Sequence, residues 1–558
     1  MSKIKTIIKK IPVEILIFLL AFLIRLPTLG YDIINNDAFL WKERGYRFGE
    51  ALVNFDFANT AVTYHPGVTL LYNLFVANKI FSLLNKLYYH GSLNTHELFL
   101  VNHQIQKFVI VFTTSILIAL VYYFLKKITG KRVALLTILI LLFEPFFIGL
   151  GRVVHTDMLL SLFLFLALIT YFLGLSYSSV RYTNEEWISK GFYRKIISIF
   201  PNKPRKILYL YRYLIISSVF TGFALLTKSS ALYLFGIYFL LLLYYLFSKS
   251  RTEKSSYYIK RFIFVILSSS VIFILFWPAM WVIPIATLKY YLFRGVKGVA
   301  LEEGHKQIWF GKETLDPGFW YYPFVIIARY TPLLIVSFFA SVVFYIKNFK
   351  KEDKTLRLFL LYVLFFIITY LLMLTIVSKK LDRYSLPIMF GMATMSSYFI
   401  ISILRRKLKV LLIGTVFVII FRFLIFYGYH PNYLAYYSPF VGGLERGMHY
   451  LEPQWMIGYN NVAKYFNQLS SEKDDDAVTV VIADHYYLQP FANFKVYSID
   501  NEHDSIKGIY FVMPRYMDKN KIKEYKKKYN LKTLGDRISV AGVDVYNIYK
   551  VKDKKSND

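Results

Sequence analysis

The chain has 558 residues, 56% of them hydrophobic and 19% aromatic, with a mean hydropathy of +0.43. That exceeds the ~45–50% apolar share of a soluble domain and points to a membrane protein. The net charge of +32 would suggest nucleic acid in a soluble protein, but the Lys and Arg lie largely in short loops between apolar runs, so no nucleic-acid partner is expected. The absence of cysteine excludes disulfides, thiolate metal sites and a cysteine nucleophile.

The N-terminus, with Lys3, Lys5, Lys9 and Lys10 before an apolar run, reads as an uncleaved first helix with its basic end in the cytoplasm. Runs long enough to span a bilayer follow in chain order at 11–29, 107–126, 133–150, 157–177, 212–228, 229–248, 262–282, 324–346, 356–377, 384–403 and 408–427. Basic segments fall at Lys126–Arg132, in 181–206, at Lys249–Arg261, at Lys347–Lys354 and at Arg405–Lys407. Placing all of them inside closes the alternation, provided that 66–84 lies in the outer interface and does not cross. The outer side then collects 30–106, the turns at 150–157, Lys228 and 378–383, the loop 283–330, and everything after about 428.

The tail is soluble in composition. Strands are expected at 477–483, 494–500, 507–513 and 543–550, with a Lys-rich helix at 517–529 and a solvated acidic loop at Asp474–Asp476. The fold class is therefore an all-α polytopic membrane protein with about eleven transmembrane helices, plus a small C-terminal extracytoplasmic α/β domain. Residues 1–428 form the membrane core and 429–558 the outer domain. No internal repeat is seen.

Polar residues concentrate beside the outer membrane ends. Asp37 opens a short amphipathic helix in the first outer loop, where a helix cap is the simple alternative. His65 precedes a Pro-Gly turn. The stretch "GLGRVVHTDM", 149–158, puts Arg152, His155 and Asp157 at the mouth of an apolar run; a dipole partner explains Asp157 but not Arg152, which needs an acid or an anion. Lys228 stands in "LLTKSS", and Lys379, Lys380 and Arg383 crowd a short outer turn that should be poor in cations. Arg294 and Arg329 add to the set. Each could anchor singly; together they suit a lipid-linked phosphate whose headgroup sits at the interface. An aspartate beside them could take a proton from an attacking hydroxyl while the cations stabilise the departing phosphate.

These residues, in this order, resemble the GT-C-fold membrane glycosyltransferases, in particular the protein O-mannosyltransferase and aminoarabinose transferase group. The resemblance rests on Asp37 in the first outer loop, "YHPG" at 64–67, "LGRVVHTDM", "GFALLTKSS", "GHKQIWFGKETLDPGFWYYP" with Arg329 beyond it, "KKLDRYSLP" and "YHPNYLAYYSPFVGG". It covers roughly residues 1–465. It implies transfer of a sugar, a hexose such as mannose or a pentose, from a polyprenyl-phosphate donor to a hydroxyl on a protein, lipid or glycan acceptor. The displacement would be single and inverting. Asp37 would be the base, or the acid that positions the acceptor, and Asp157 the second acid. Arg152, Lys228, Lys379, Lys380 and Arg383 would contact the phosphate or carrier, with His65, His155 and Arg329 as further pocket residues. The O-mannosyltransferases carry Asp-Glu where this chain has Asp37-Ala38, which weakens the case for a protein acceptor. No cofactor is implied; His65, His155 and His305 show no local ligand spacing, and a divalent metal stays open. The alternatives are a transporter or lipid-linked sugar flippase, and a non-catalytic scaffold. A transporter should carry its charges near mid-membrane, and these apolar runs are nearly free of charge.

Overall fold

The computed structural model describes residues 11–176, 202–248, 253–302, 304–404, 420, 423–453, 455–472, 478–500 and 509–551. Most of the basic segment 181–206, Lys249 and Arg251, Arg405–Lys407, most of the run 408–427 and the Asp474–Asp476 loop lie outside the described residues.

Helices α1 (Val13–Leu23), α2 (Asp37–Val53), α3 (Val68–Leu84), α4 (Thr95–Thr129), α5 (Lys131–Leu142), α6 (Pro145–Leu150), α7 (Asp157–Ser176) and α8 (Asn202–Thr227) form the first half of the molecule. They are followed by α9 (Tyr233–Phe247), α10 (Ser255–Phe276), α11 (Tyr321–Arg329), α12 (Pro332–Asn348), α13 (Lys354–Ile376) and α14 (Leu386–Leu404). Among the described residues eight helical segments are long and apolar enough to cross a membrane, and α1 and the 211–227 part of α8 are shorter apolar pieces. The chain is a multi-pass membrane protein. Leu267, Val271 and Leu275 on α10 and Val336, Phe339, Val343 and Ile346 on α12 are exposed, as lipid-facing stripes would be.

Helix α7 is the hub. Its residues 157–175 are all buried, so its apolarity runs round the whole helix and not along one stripe. The residues before it therefore sit near the centre of one end of the bundle. The expected span 133–150 is broken. Pro145 cannot continue α5 and restarts the chain as α6. The buried Glu144 at the break accepts from the backbone N–H and hydroxyl of Thr331, at 3.2 and 2.5 Å.

Helix α4 has 35 residues, about 52 Å at helical rise, against ~30 Å of bilayer hydrocarbon. Its start is fixed by a reciprocal Asn94–Glu97 capping box. Lys107 marks the site end of the bundle, because it meets Asp32 at 2.5 Å in the same cluster as Arg152. Residues 95–107 thus extend about 18 Å further along the axis. Helix α3 runs antiparallel along this half of α4, with Thr113 donating to Asn73 and Gln106 to Asn78. Its start is tied to the end of α8 by Gly67 N–H to the Thr227 carbonyl (3.2 Å) and Thr69 to Thr227 (2.7 Å). Gly67 has φ +59°, and a side chain there would collide with the Trp41 ring.

Residues 433–438 pack inside the helical body: Arg329 donates to the carbonyls of Leu434 and Tyr436, and Ser438 N–H to that of Ala328. Beyond them, α15 (Gly443–Tyr450) and α16 (Tyr459–Glu472) lead into the C-terminal sheet. A separate hairpin, β1 (Gln307–Trp309) and β2 (Lys312–Thr314), lies between α10 and α11. The sheet comprises β3 (Thr479–Ile482), β4 (Lys495–Ser498), β5 (Ile509–Pro514), β6 (Leu531–Val540) and β7 (Val543–Val551), in the order β4-β3-β5-β7-β6. Strand β3 is parallel to β4 and β5, and β7 is antiparallel to β5 and β6. The central β3 and β5 are buried throughout. Helix α17 (Lys519–Lys528) is the expected Lys-rich helix. Strand β6 was not expected: its middle is exposed and polar, as suits an edge. The two positive-φ residues Ala541 and Gly542 turn it tightly into β7.

Arg329 and Asp382 are both fully buried and paired at 2.8 Å. Asp382→Ala leaves the guanidinium uncompensated, and a loss of about 3–5 kcal/mol is expected. It should appear as a large drop in the melting midpoint of the detergent-solubilised protein.

Candidate active site

Four chain segments meet at the site end of α7. The first turn of α2 supplies Asp37, the turn before α7 and the first residue of α7 supply His155 and Asp157, the break between α8 and α9 supplies Lys228, and the turn before α14 supplies Arg383. His155 stands between two carboxylates, Nε2 to Asp37 at 3.1 Å and Nδ1 to Asp157 at 3.0 Å. Lys228 reaches Asp157 Oδ1 at 2.8 Å. Arg383 reaches Asp157 Oδ2 at 3.0 Å and Asp37 Oδ2 at 3.4 Å. Both carboxylates, each in the first turn of its helix, meet these cations.

The electrostatics follow from burial. Desolvation disfavours the charged forms of Asp37 and His155, but the partners outweigh it. The hydrogen bond and charge of His155, with Arg383, hold the Asp37 carboxyl well below its ordinary range. Asp157 and Asp37 raise His155 above its ordinary 6.5.

A cavity of about 230 Å³ opens beside this cluster. Its polar wall includes Asp157, Lys228, Lys379, Arg383, His65 and Ser229; its apolar wall includes Leu160, Val296, Met373, Leu374, Val377 and Pro387. Lys228 lies over the Tyr384 ring at 4.0 Å. His65 has a buried Nδ1 with no partner among the described residues, and burial with nearby Lys228 and Lys379 pushes its pKa well down, so it is neutral.

The sequence-derived residues divide. Asp37, His155, Asp157, Lys228 and Arg383 form one network, and Lys379 and His65 line the same cavity. Three cations turn elsewhere. Arg152 is spent on Asp32 at 3.0 Å and on the carbonyls of Arg25 and Pro27, in a buried triad with Lys107. Lys380 reaches Asp316 at 2.7 Å and the Val377 carbonyl. Arg329 is enclosed by Asp382, two carbonyls and the Tyr437 ring. None of the three lines the cavity. Each found an acid or carbonyls far away in sequence, which relieves the need for an external anion.

Sequence reading missed Trp455. It lies in the segment leading to the C-terminal sheet, with its ring 5.6 Å from that of His155 and 4.9 Å from the Arg383 guanidinium. Its φ of +58° is a strained setting for a bulky side chain, held only where the surroundings impose it. A lone Trp in a polar stretch carries no sequence signal that could have found it.

A family model described as dolichyl-phosphate-mannose-protein mannosyltransferase matches residues 95–192. Among solved structures, ArnT from Cupriavidus metallidurans bound to undecaprenyl phosphate is similar at 10% identity and TM-score 0.50, covering 96% of this chain and 97% of that one. The oligosaccharyltransferase of Archaeoglobus fulgidus gives 12% identity and TM-score 0.46 over 92% and 71% of the two chains. No curated protein sequence matches. Fold and family match together define the class: the chain has the GT-C fold and is a membrane glycosyltransferase. The matched family model is that of mannosyltransferases, and neither match favours a transporter.

The charge on His155 gives a pH test. Because its folded pKa is raised, its stabilising contribution is complete below 6.5 and is lost as pH rises through the raised value; Asp37, held low, stays ionised throughout that window. The melting midpoint should therefore fall as pH is raised from 6.5, and this slope should flatten in His155→Gln. An equally steep slope in the variant places the titrating group elsewhere.

Proposed function

We propose that the chain moves a sugar, a hexose such as mannose or a pentose, from a polyprenyl-phosphate-linked donor to an acceptor hydroxyl by a single inverting displacement. The observation that carries this reading is the composition of the cavity. Asp157 faces one guanidinium and two ammonium groups, those of Arg383, Lys228 and Lys379, which leaves two positive charges beside an apolar wall, while Asp37 and His155 join the same network outside the cavity lining. A donor phosphodiester carries one negative charge, and the departing lipid monophosphate carries up to about two. The site is thus matched to the charge that develops and not to the charge at rest, as transition-state stabilisation requires. The apolar wall suits the first units of a prenyl chain. The undecaprenyl phosphate in the similar ArnT structure and the dolichyl phosphate in the family's description support the same donor class.

In this mechanism the acceptor oxygen attacks the anomeric carbon from the Asp37 side. The carbon–oxygen bond to phosphate breaks with its electron pair on the phosphate, toward Lys228, Lys379 and Arg383. The acceptor proton passes to Asp37 as its oxygen becomes bonded. The low pKa of Asp37 makes it a weak base, so it takes the proton late, after the oxygen has gained positive character. His155 holds the two carboxylates apart and in register. The acceptor is a protein, lipid or glycan.

The direction of the chain follows from loop charge. Lys126, Lys127, Lys131, Arg132, Lys347, Lys350 and Lys351 lie at helix ends opposite the site. We place that side in the cytoplasm with the N-terminus, and the site and C-terminal domain on the extracytoplasmic face.

Reconstituted protein supplied with polyprenyl-phosphate-mannose tests the reading. Asp37→Asn should lower transfer about 10²–10⁴-fold with donor binding retained. Lys379→Ala should weaken donor binding about tenfold, the worth of one charged contact. Full activity in Asp37→Asn removes the proposed base, and unchanged donor affinity in Lys379→Ala moves the phosphate out of this cavity.

A further inference from the structure

A second and larger cleft lies between the membrane body and the C-terminal domain. Its volume is about 1310 Å³, above the ~300–1,000 Å³ of ordinary small-molecule pockets. One wall is the loop after α1 and the start of α4, with Thr28, Tyr31 and Asn94; the other is α16 and the loop 489–494. The lining is rich in carboxamides: Asn94, Asn460, Asn461, Gln489 and Asn493 face it. Asn460 has a buried carbonyl oxygen with no partner among the described residues, an unmet acceptor in a polar cleft. The loop is held rigid against α16, since Asn493 N–H donates to the Asn467 carboxamide, which donates to the Phe491 carbonyl. Tyr31 presents a half-exposed ring.

This chemistry selects a ligand class. Asn94 and Asn461 are engaged within the protein, by the Glu97 N–H and the Ser539 carbonyl, whereas the exposed Gln489 and Asn493 each offer a donor and an acceptor side by side, which fits adjacent hydroxyls. An exposed aromatic ring offers a face to the C–H side of a pyranose. Glu97 offsets one of the two lining lysines, Lys464 and Lys495, so neither an acidic nor a basic polymer is called for. The amides project from a helix start, a second helix and a loop, and not at the regular pitch that grips an extended peptide backbone.

The wall of the cleft is tied to the segment that carries Asp37. The loop that forms its wall follows Tyr487, whose hydroxyl donates to the Asn36 carbonyl at 3.3 Å and whose ring packs on Phe39 at 5.3 Å. Those two residues bracket Asp37.

We propose that this cleft binds a neutral oligosaccharide as the body of the acceptor, presenting one of its hydroxyls to Asp37. The inference rests on the glycosyl-transfer reading and names the acceptor class that reading leaves open. The test uses the full chain in nanodiscs, with direct binding of a mixture of neutral linear and branched hexose oligosaccharides and, separately, of a Ser/Thr-containing heptapeptide. The wild type should bind an oligosaccharide. Gln489→Ala combined with Asn493→Ala, both on an exposed loop, should weaken that binding about tenfold or more with donor binding unchanged. Tyr31→Ala should act in the same direction. Absence of oligosaccharide binding, equal binding in the variants, or binding of the peptide alone would overturn the proposal. Saccharide binding is read without turnover. Failure of donor transfer with intact, variant-sensitive saccharide binding therefore counts against the glycosyl-transfer reading alone, and the reverse result against the cleft alone.

Discussion

Buried charge pairing at one end of a helical bundle organises this molecule. Asp32 holds Lys107 and Arg152; Asp157 holds Lys228, Arg383 and His155; Asp382 holds Arg329. A charge removed from water without a partner is costly enough to unfold a marginal protein, so these pairings must form together. Because most of the partners come from different segments, about 50 to 230 residues apart, each such pairing is also a statement of topology. Satisfying them brings the first loop, the mouth of α7, the break after α8 and the turn before α14 to one place.

The three groups divide the labour. The Asp32 and Asp382 groups are closed: carboxylates and backbone carbonyls take up their cations, and they hold α1, α4, α11 and the 433–438 strap in register. The Asp157 group is open. It has more cations than carboxylates and faces a cavity. Stability comes from the closed pairs, and the capacity to accept further negative charge comes from the open one.

The sequence showed which charges sit at the site end but not which of them face the cavity. Asp157, Lys228 and Arg383 were legible because each interrupts or borders an apolar run in a short turn, and Asp37 because it opens an amphipathic helix in the loop after the first apolar run. Arg152, Lys380 and Arg329 carried the same local signal and turned to Asp32, Asp316 and Asp382 instead. No spacing rule links those pairs, since the contacts are set by how the helices pack. Most spans were legible from length and apolarity, but Pro145 and Pro332 each divide an apolar run into two helices, and the run 66–84, read as lying in the interface, is long and apolar enough to cross. Strand β6 escaped because an edge strand with lysine, glycine and aspartate lacks the apolar alternation of its neighbours.

Trp455 ties the two parts of the protein into one functional unit. It belongs by sequence to the segment that carries the C-terminal sheet, yet its ring rests on His155 and Arg383. The C-terminal domain is thus no detachable appendage: any rotation of it relative to the bundle pulls an aromatic ring off His155 and Arg383. Exchange of this domain between related chains, as modular architectures permit, would have to rebuild that one contact each time. The domain's orientation is inherited along with the chemistry.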